Sequence, residues 1–281
     1  MLAYRHGFHA GNHADVLKHT VFTAVLRHMN LKPKPYRVVD THAGAGGYSL
    51  EGRYAQKKGE YEEGIGRLWS RKDLPPLVAD YVEQVRVFNP DGKLAQYPGS
   101  PAIAQLLLRP VDQLRLYELH PTDHRILASA MAGRRGTEIH DSDGFDALRA
   151  QLPPSTRRAV VLMDPSYEGT GDYPRAIAAL REGLARFADG TYLLWYPQVT
   201  KLESAQLPKR LEALASQTSW LHARLTVQRP DAQGFGLAGS GVFVINPPYT
   251  LHAQLLEVLP YLADVLGQFD GANYLLEQRA D

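Results

Sequence analysis

A chain of 281 residues with 44% hydrophobic and 22% charged side chains can bury a sizeable core, and its length allows one large or two small domains. A formal net charge of +1 excludes a global positive field, so a nucleic acid would have to be met by local basic patches. The absence of cysteine excludes disulfides, thiolate metal sites and cysteine nucleophiles, and with neither a long apolar run nor an apolar signal core after Met1, a cytoplasmic location is expected.

The first 13 residues, rich in His, Gly and aromatics, read as a loop. From Asp15 to Met29 apolar residues recur at helical spacing, with Asn12 or Asp15 as cap, and Pro33 and Pro35 end the element. Tyr36–Asp40 reads as a short buried strand, followed at once by the Gly-rich turn Thr41–Gly47. Residues 48–98 carry mixed charge and no strong strand, which suggests a small inserted helical subdomain within a single domain spanning 1–281. Helices are expected at 102–108, 122–131, 146–152, 173–187 and 201–217, and strands at 114–119, 137–140, 159–163, 190–196, 221–228 and 241–246. Strands alternating with helices imply an α/β fold with a parallel sheet. The last two strands are joined by a loop without a helix, so an antiparallel hairpin is expected at one edge of that sheet.

The tetrad Asp164-Pro165-Ser166-Tyr167 closes the apolar run Ala159–Met163. A carboxylate and the Pro165 carbonyl at the mouth of a buried strand can accept both hydrogens of an amine, and Tyr167 can lie against a flat ring. Such a set suits methylation of an exocyclic amino group. Ligands of an open α/β sheet bind outside the carboxyl ends of its strands. Three further groups stand at such ends. Gly44, in the Gly-rich turn, allows close backbone approach. Glu118 can take both hydroxyls of a ribose, and Asp143-Gly144 can grip an adenine edge. Each acid could instead merely cap a helix, a reading that weakens when all converge on one crevice. A nicotinamide dinucleotide would want G-x-G-x-x-G with an acid about 20 residues on. Glu118 lies much further downstream, so S-adenosylmethionine fits better.

These residues resemble the RlmJ family of bacterial 23S ribosomal RNA adenine-N(6) methyltransferases. The likeness is carried by the opening run Tyr4–His19, by Asp40–Gly46, Glu60-Tyr61, Gly64-Ile65, Tyr97–Pro101, Glu118–Pro121, Asp143–Phe145 and Leu194–Pro197. It covers nearly the whole chain and thins after about residue 250. It implies a Rossmann-like S-adenosylmethionine-dependent methyltransferase sheet, with the donor held near Lys18, His19, His42, Ser100, Glu118, Asp143 and Gly144. It also implies that Asp164 is the catalytic acid, that Tyr4 and His6 approach the RNA, and that the substrate is an unpaired or flipped adenine of 23S ribosomal RNA. No protein partner is implied, and the chain is expected to act as a monomer. The family tetrad is Asp-Pro-Pro-Tyr. Ser166 departs from it, with an expected loss of stiffness on the order of 0.4–1 kcal/mol.

Rival readings are a DNA adenine methyltransferase and a non-catalytic nucleic acid binder that retains the fold. A second tetrad, Asn246-Pro247-Pro248-Tyr249, is itself a methylating pattern but follows the final expected strand, beyond the donor crevice. His6, His9, His13 and His19 crowd the N-terminus without an acid partner that completes a metal site. Among the basic pairs, Lys57-Lys58 and Arg71-Lys72 are the better candidates for phosphate contact.

Overall fold

Apolar runs that alternate between two cores organise the fold. The computed structural model describes residues 6–52, 59–229 and 236–280; Tyr4, Lys57 and Lys58 lie outside them. The central strands are β1 (Arg37–Asp40), β4 (Gln113–Tyr117), β5 (Thr137–His140), β6 (Ala159–Met163) and β7 (Thr191–Gln198). On β6, Val160 and Leu162 enter one core while Val161 and Met163 enter the other, the period-2 alternation of a strand covered on both faces. Val38 and Val39 divide in the same way on β1.

The first core is closed by α1 (His13–Asn30), α4 (Ser100–Leu107) and α9 (Leu251–Leu266), and the second by α6 (Gly144–Gln151), α7 (Asp172–Arg186) and α8 (Leu202–Leu214). Helix α5 (Pro121–Ala130) follows β4. Among the described residues the main sheet has eight strands in the order β10-β8-β9-β7-β6-β1-β4-β5, with β8 (Trp220–Thr226), β9 (Gly239–Ile245) and β10 (Asn273–Arg279). Strand β1 pairs parallel with β4 on one side and β6 on the other, so the chain reverses direction across the sheet between β1 and β6. That is the switch point at which ligands of this fold class bind.

Two features differ from the sequence expectation. The hairpin of β8 and β9 is present, but β9 pairs with β7 and β8 pairs antiparallel with β10, so β10 forms the edge. Strand β10 is polar on most positions, as an edge should be, and gives no apolar alternation to read. Helix α9 also went unread, and it buries Leu255, Val258, Leu259 and Leu262 in the first core. Between β1 and β4, the three-residue strands β2 (Gly47–Ser49) and β3 (Gln96–Pro98) pair antiparallel. Each is too short to show a period. Helices α2 (Ile65–Trp69) and α3 (Pro76–Arg86) lie between them. No helix among the described residues is long and apolar enough to cross a membrane.

Candidate active site

Helix α1 begins at the carboxyl ends of the strands. Asn12 caps it, its Oδ1 accepting from the Ala14 and Asp15 amides at 3.0 and 3.1 Å. The first turns therefore deliver Asp15, Lys18 and His19 to the switch point on a rigid element. Asp15 is 1% exposed; its Oδ2 accepts from the Gly11 amide at 2.9 Å and lies 2.9 Å from His6 Nε2. Lys18 Nζ reaches Asp15 Oδ1 at 2.8 Å and also donates to Asp164 Oδ2. Thus His6, Asp15, Lys18 and Asp164 form one continuous chain of polar contacts. Burial alone would push the Lys18 ammonium down, but the two carboxylates outweigh it and hold the group above its ordinary value. Burial likewise opposes charge on Asp15, and His6 and Lys18 overcome it and hold that carboxyl well below the usual range.

The β1–β6 register brings the tetrad to the same place. The Thr41 amide and hydroxyl both donate to the Leu162 carbonyl, at 3.0 and 3.1 Å. This clamps the turn after β1 against the end of β6. Asp164 and Pro165 line a cleft of about 290 Å³ together with Lys18, His19, His42, Gly44, Ser100, Glu118, Asp143, Gly144 and His6. Glu118 accepts from the Gly44 amide at 2.8 Å and the His120 amide at 2.6 Å, and burial pushes its carboxyl up. Ser100 donates to Asp40 at 2.6 Å. Asp143 does cap α6, accepting from the Phe145 amide at 3.0 Å, yet its second oxygen faces the Arg175 guanidinium at 2.5 Å. Capping and a place in the cleft are therefore compatible.

Glycine is obligatory at 144. A Cβ there would lie 1.6 Å from the carbonyl oxygen of Thr41, a residue whose amide and hydroxyl already fix it to β6. Gly144→Ala should push α6 off the turn after β1, at a cost of about 3 kcal/mol, with loss of donor binding. Denaturant midpoint and donor affinity measured on the same sample test this; an unchanged midpoint would remove the steric argument. At Gly44, φ is +61° and a Cβ would meet the Tyr48 hydroxyl at 2.3 Å.

Tyr167 departs from expectation. It does not line the cleft: its ring is 3% exposed, packs on Tyr173 with centroids 4.5 Å apart, and its hydroxyl donates to the Trp195 carbonyl at 2.9 Å. In this arrangement the ring serves the second core and cannot stack on a base. A backbone φ of +52° at Tyr167 turns the side chain inward. Lys201 then holds the outgoing chain, donating to the Tyr167 and Glu168 carbonyls at 3.0 and 3.2 Å.

The rival tetrad is structural. Asn246 Nδ2 donates to the Ala188 and Gly190 carbonyls at 2.6 and 2.7 Å, and its Oδ1 accepts from Thr218 at 2.5 Å. It ties loops at the amino end of β7 and stands outside the cleft. Arg71 is engaged by Asp73 at 2.6 Å and by the Tyr261 hydroxyl at 2.7 Å. His9 lies 2.8 Å from Glu60. Sequence reading missed the hub role of Asp15, which it took only as a cap, and missed Arg175 altogether. The i, i+3 spacing of Asp15 and Lys18 was a usable signal; Arg175 carried none.

Buried histidines set the pH response. Burial pushes His13, His42 and His222 down to about 4 and His19 to about 3. Unfolded, these groups take up protons near their ordinary value of 6.5; folded, they do not, so stability is withdrawn as pH falls from 6.5 toward 4. Burial pushes Asp40 the opposite way, up to about 7, so its contribution is full at acid pH and fades as pH rises through that value. Asp15 responds only below the ordinary carboxylate range. With four histidines against one carboxyl, acidification from about pH 7.5 to about 5.5 should lower stability by roughly 3 kcal/mol. Urea midpoints across that range check the sign, and a flat or rising profile would contradict it.

Comparison with known proteins agrees with this geometry. A family model described as ribosomal RNA large subunit methyltransferase D, RlmJ, matches residues 33–276, so the likeness continues past residue 250. The chain is 46% identical over 262 residues to Ribosomal RNA large subunit methyltransferase J of Escherichia coli (strain K12), covering 93% of each. It is also 46% identical over 267 residues to the protein of the same name from Haemophilus influenzae, covering 95% of this chain and 94% of that one. A crystal structure of protein LPL1258 from Legionella pneumophila superposes with a TM-score of 0.88 at 33% identity, covering 97% of this chain and 99% of that one. A match of this length, with relatives at this identity, places the chain in the RlmJ family of ribosomal RNA large subunit methyltransferases.

Proposed function

We propose that this chain transfers a methyl group from S-adenosylmethionine to the exocyclic amine of an adenine in 23S ribosomal RNA, and that the base is unpaired or flipped when it enters. The observation that carries this reading is the ion pair of Asp164 with buried Lys18 at the wall of a cleft at the switch point of the sheet.

The cleft suits the donor. Gly44 and Gly144 stand in its lining, Glu118 offers a carboxylate for hydroxyls, and His19 Nε2 is buried there with no hydrogen-bond partner. Lys18, His19, His42, Ser100, Glu118, Asp143 and Gly144 would hold it. When bound, S-adenosylmethionine supplies a methyl group already activated by a sulfonium.

The remaining work falls to the protein. An adenine amine is a weak nucleophile because its lone pair is delocalised into the ring. Asp164 and the Pro165 carbonyl accept its two hydrogens, turn the lone pair out of the ring plane and stabilise positive charge as it grows. Lys18 fixes the Asp164 rotamer from one side, leaving the other oxygen for the amine. Asp15 and His6 fix Lys18 in turn. Rate then comes mainly from orientation, and the methylated amine gives up its extra proton to Asp164, which faces the open mouth. His6, on the cleft wall beside the Tyr48 ring at 5.2 Å, is placed to meet the nucleotide.

The test offers tritium-labelled donor with free 23S RNA, assembled large subunits and DNA in parallel, followed by nucleoside analysis. Label in N6-methyladenine from 23S RNA is expected. Label confined to DNA would replace the RNA reading, and none in any substrate would favour a binder.

A further inference from the structure

At the antiparallel end of the sheet, a second group of ligating side chains has no part in methyl transfer. Strand β8 alternates: Leu221, Ala223 and Leu225 enter the first core, and His222 faces the other way. The imidazole is 2% exposed. Its Nε2 is 2.7 Å from the Tyr196 hydroxyl, while its Nδ1 is buried with no hydrogen-bond partner. Directly across the β8–β10 pairing stands Glu277, whose Oε2 lies 3.8 Å from that Nδ1, beyond hydrogen-bond reach. Glu212, on α8, brings a second carboxylate, and the three ligand atoms lie within 4.8 Å of one another.

We propose that His222, Glu212 and Glu277 form a binding site for a first-row divalent cation, zinc above all, that ties the edge strand β10 to α8. An imidazole with two carboxylates and room for water is a ligand set zinc accepts, whereas magnesium and calcium want oxygen alone. Both tautomers leave Nδ1 mismatched without a cation. If Nε2 carries the proton, the Nδ1 lone pair faces carboxylates; if Nδ1 carries it, that proton has no acceptor within hydrogen-bond distance. The Tyr196 hydroxyl can accept from Nε2–H, which fixes the tautomer that presents Nδ1 to metal. Tetrahedral zinc needs its ligand atoms about 3.3 Å apart. Glu277, whose side chain is 51% exposed, is free to swing the remaining distance. Arg224, two residues along β8, is the competing cation, so affinity should be moderate rather than extreme.

The test uses the full chain after chelator treatment, titrated with zinc sulfate alone. One zinc per chain and a rise of several degrees in Tm are expected. Glu277→Gln and Glu212→Gln, each on an accessible side chain that should not disturb folding, should weaken uptake at least about tenfold and abolish the Tm shift. His222→Asn should do the same, but it also breaks the Tyr196 contact, so the glutamine variants decide. Magnesium should give no shift. Methyl transfer by the chelated protein should be unchanged, because β9, β7 and β6 separate β8 from β1. Equal zinc uptake by wild type and Glu277→Gln, or none by the wild type, overturns the site.

Discussion

Asp164→Ala should abolish methyl transfer, by on the order of a thousandfold or more, while donor affinity stays within a few-fold of wild type. In the proposed mechanism the carboxylate accepts one amine hydrogen and opposes the positive charge that grows on the nitrogen. The alanine removes both, and the Pro165 carbonyl alone cannot turn the lone pair out of the ring plane. Asp164→Asn separates the two effects, because its amide oxygen still accepts a hydrogen but brings no charge. It should fall between alanine and wild type. Folding should survive either change, since Lys18 keeps Asp15 as its partner at 2.8 Å. Single-turnover rates with saturating RNA, beside donor titration by calorimetry, make the comparison. Near-wild-type turnover in the alanine variant would remove Asp164 from the chemistry.

Lys18→Met should lower both stability and activity, and a second substitution separates the two losses. The methionine fills similar space but leaves Asp15, 1% exposed, without its cationic neighbour. Removing one member of a buried pair costs about 3–5 kcal/mol, because the charge that stays behind is neither solvated nor balanced. The loss should be at the low end, since the Gly11 amide and His6 still reach Asp15. Adding Asp15→Asn removes the stranded charge and should recover much of the stability. It should not recover methyl transfer, because nothing then holds the Asp164 rotamer. Urea midpoints and turnover on the single and double variants give the four corners of a cycle. Activity that returns along with stability would reduce Lys18 to a structural role.

Much of the scaffold was legible because parallel strands buried on both faces must be apolar throughout. Ala159–Met163 reads as a strand for that reason, and it is one, residue for residue. The helix ending near Met29 was also plain, while its cap was open between Asn12 and Asp15 until the structure gave it to Asn12. Strand β10 was not legible: an edge strand is selected to be polar and discontinuous, which erases the pattern. Tyr167 misled for a different reason. Its aromatic type suggested stacking, but φ of +52° points the ring inward, and a sequence does not print a dihedral angle.

The sequence by itself determined the alternation of strands and helices, the acids and glycines at strand ends, and the tetrad after a fully buried strand. Local physics suffices there, because burial, capping and turn chemistry act over a few residues. Only the tertiary structure decided which of these groups meet. Lys18 and Asp164 lie 146 residues apart and touch because α1 packs on the sheet against β6. Asn246, with an equally suggestive neighbourhood, is spent on the Ala188 and Gly190 carbonyls because β9 runs antiparallel beside β7. Contacts at such separation depend on sheet order and register, which are set by the packing of whole layers rather than by any short stretch of chain.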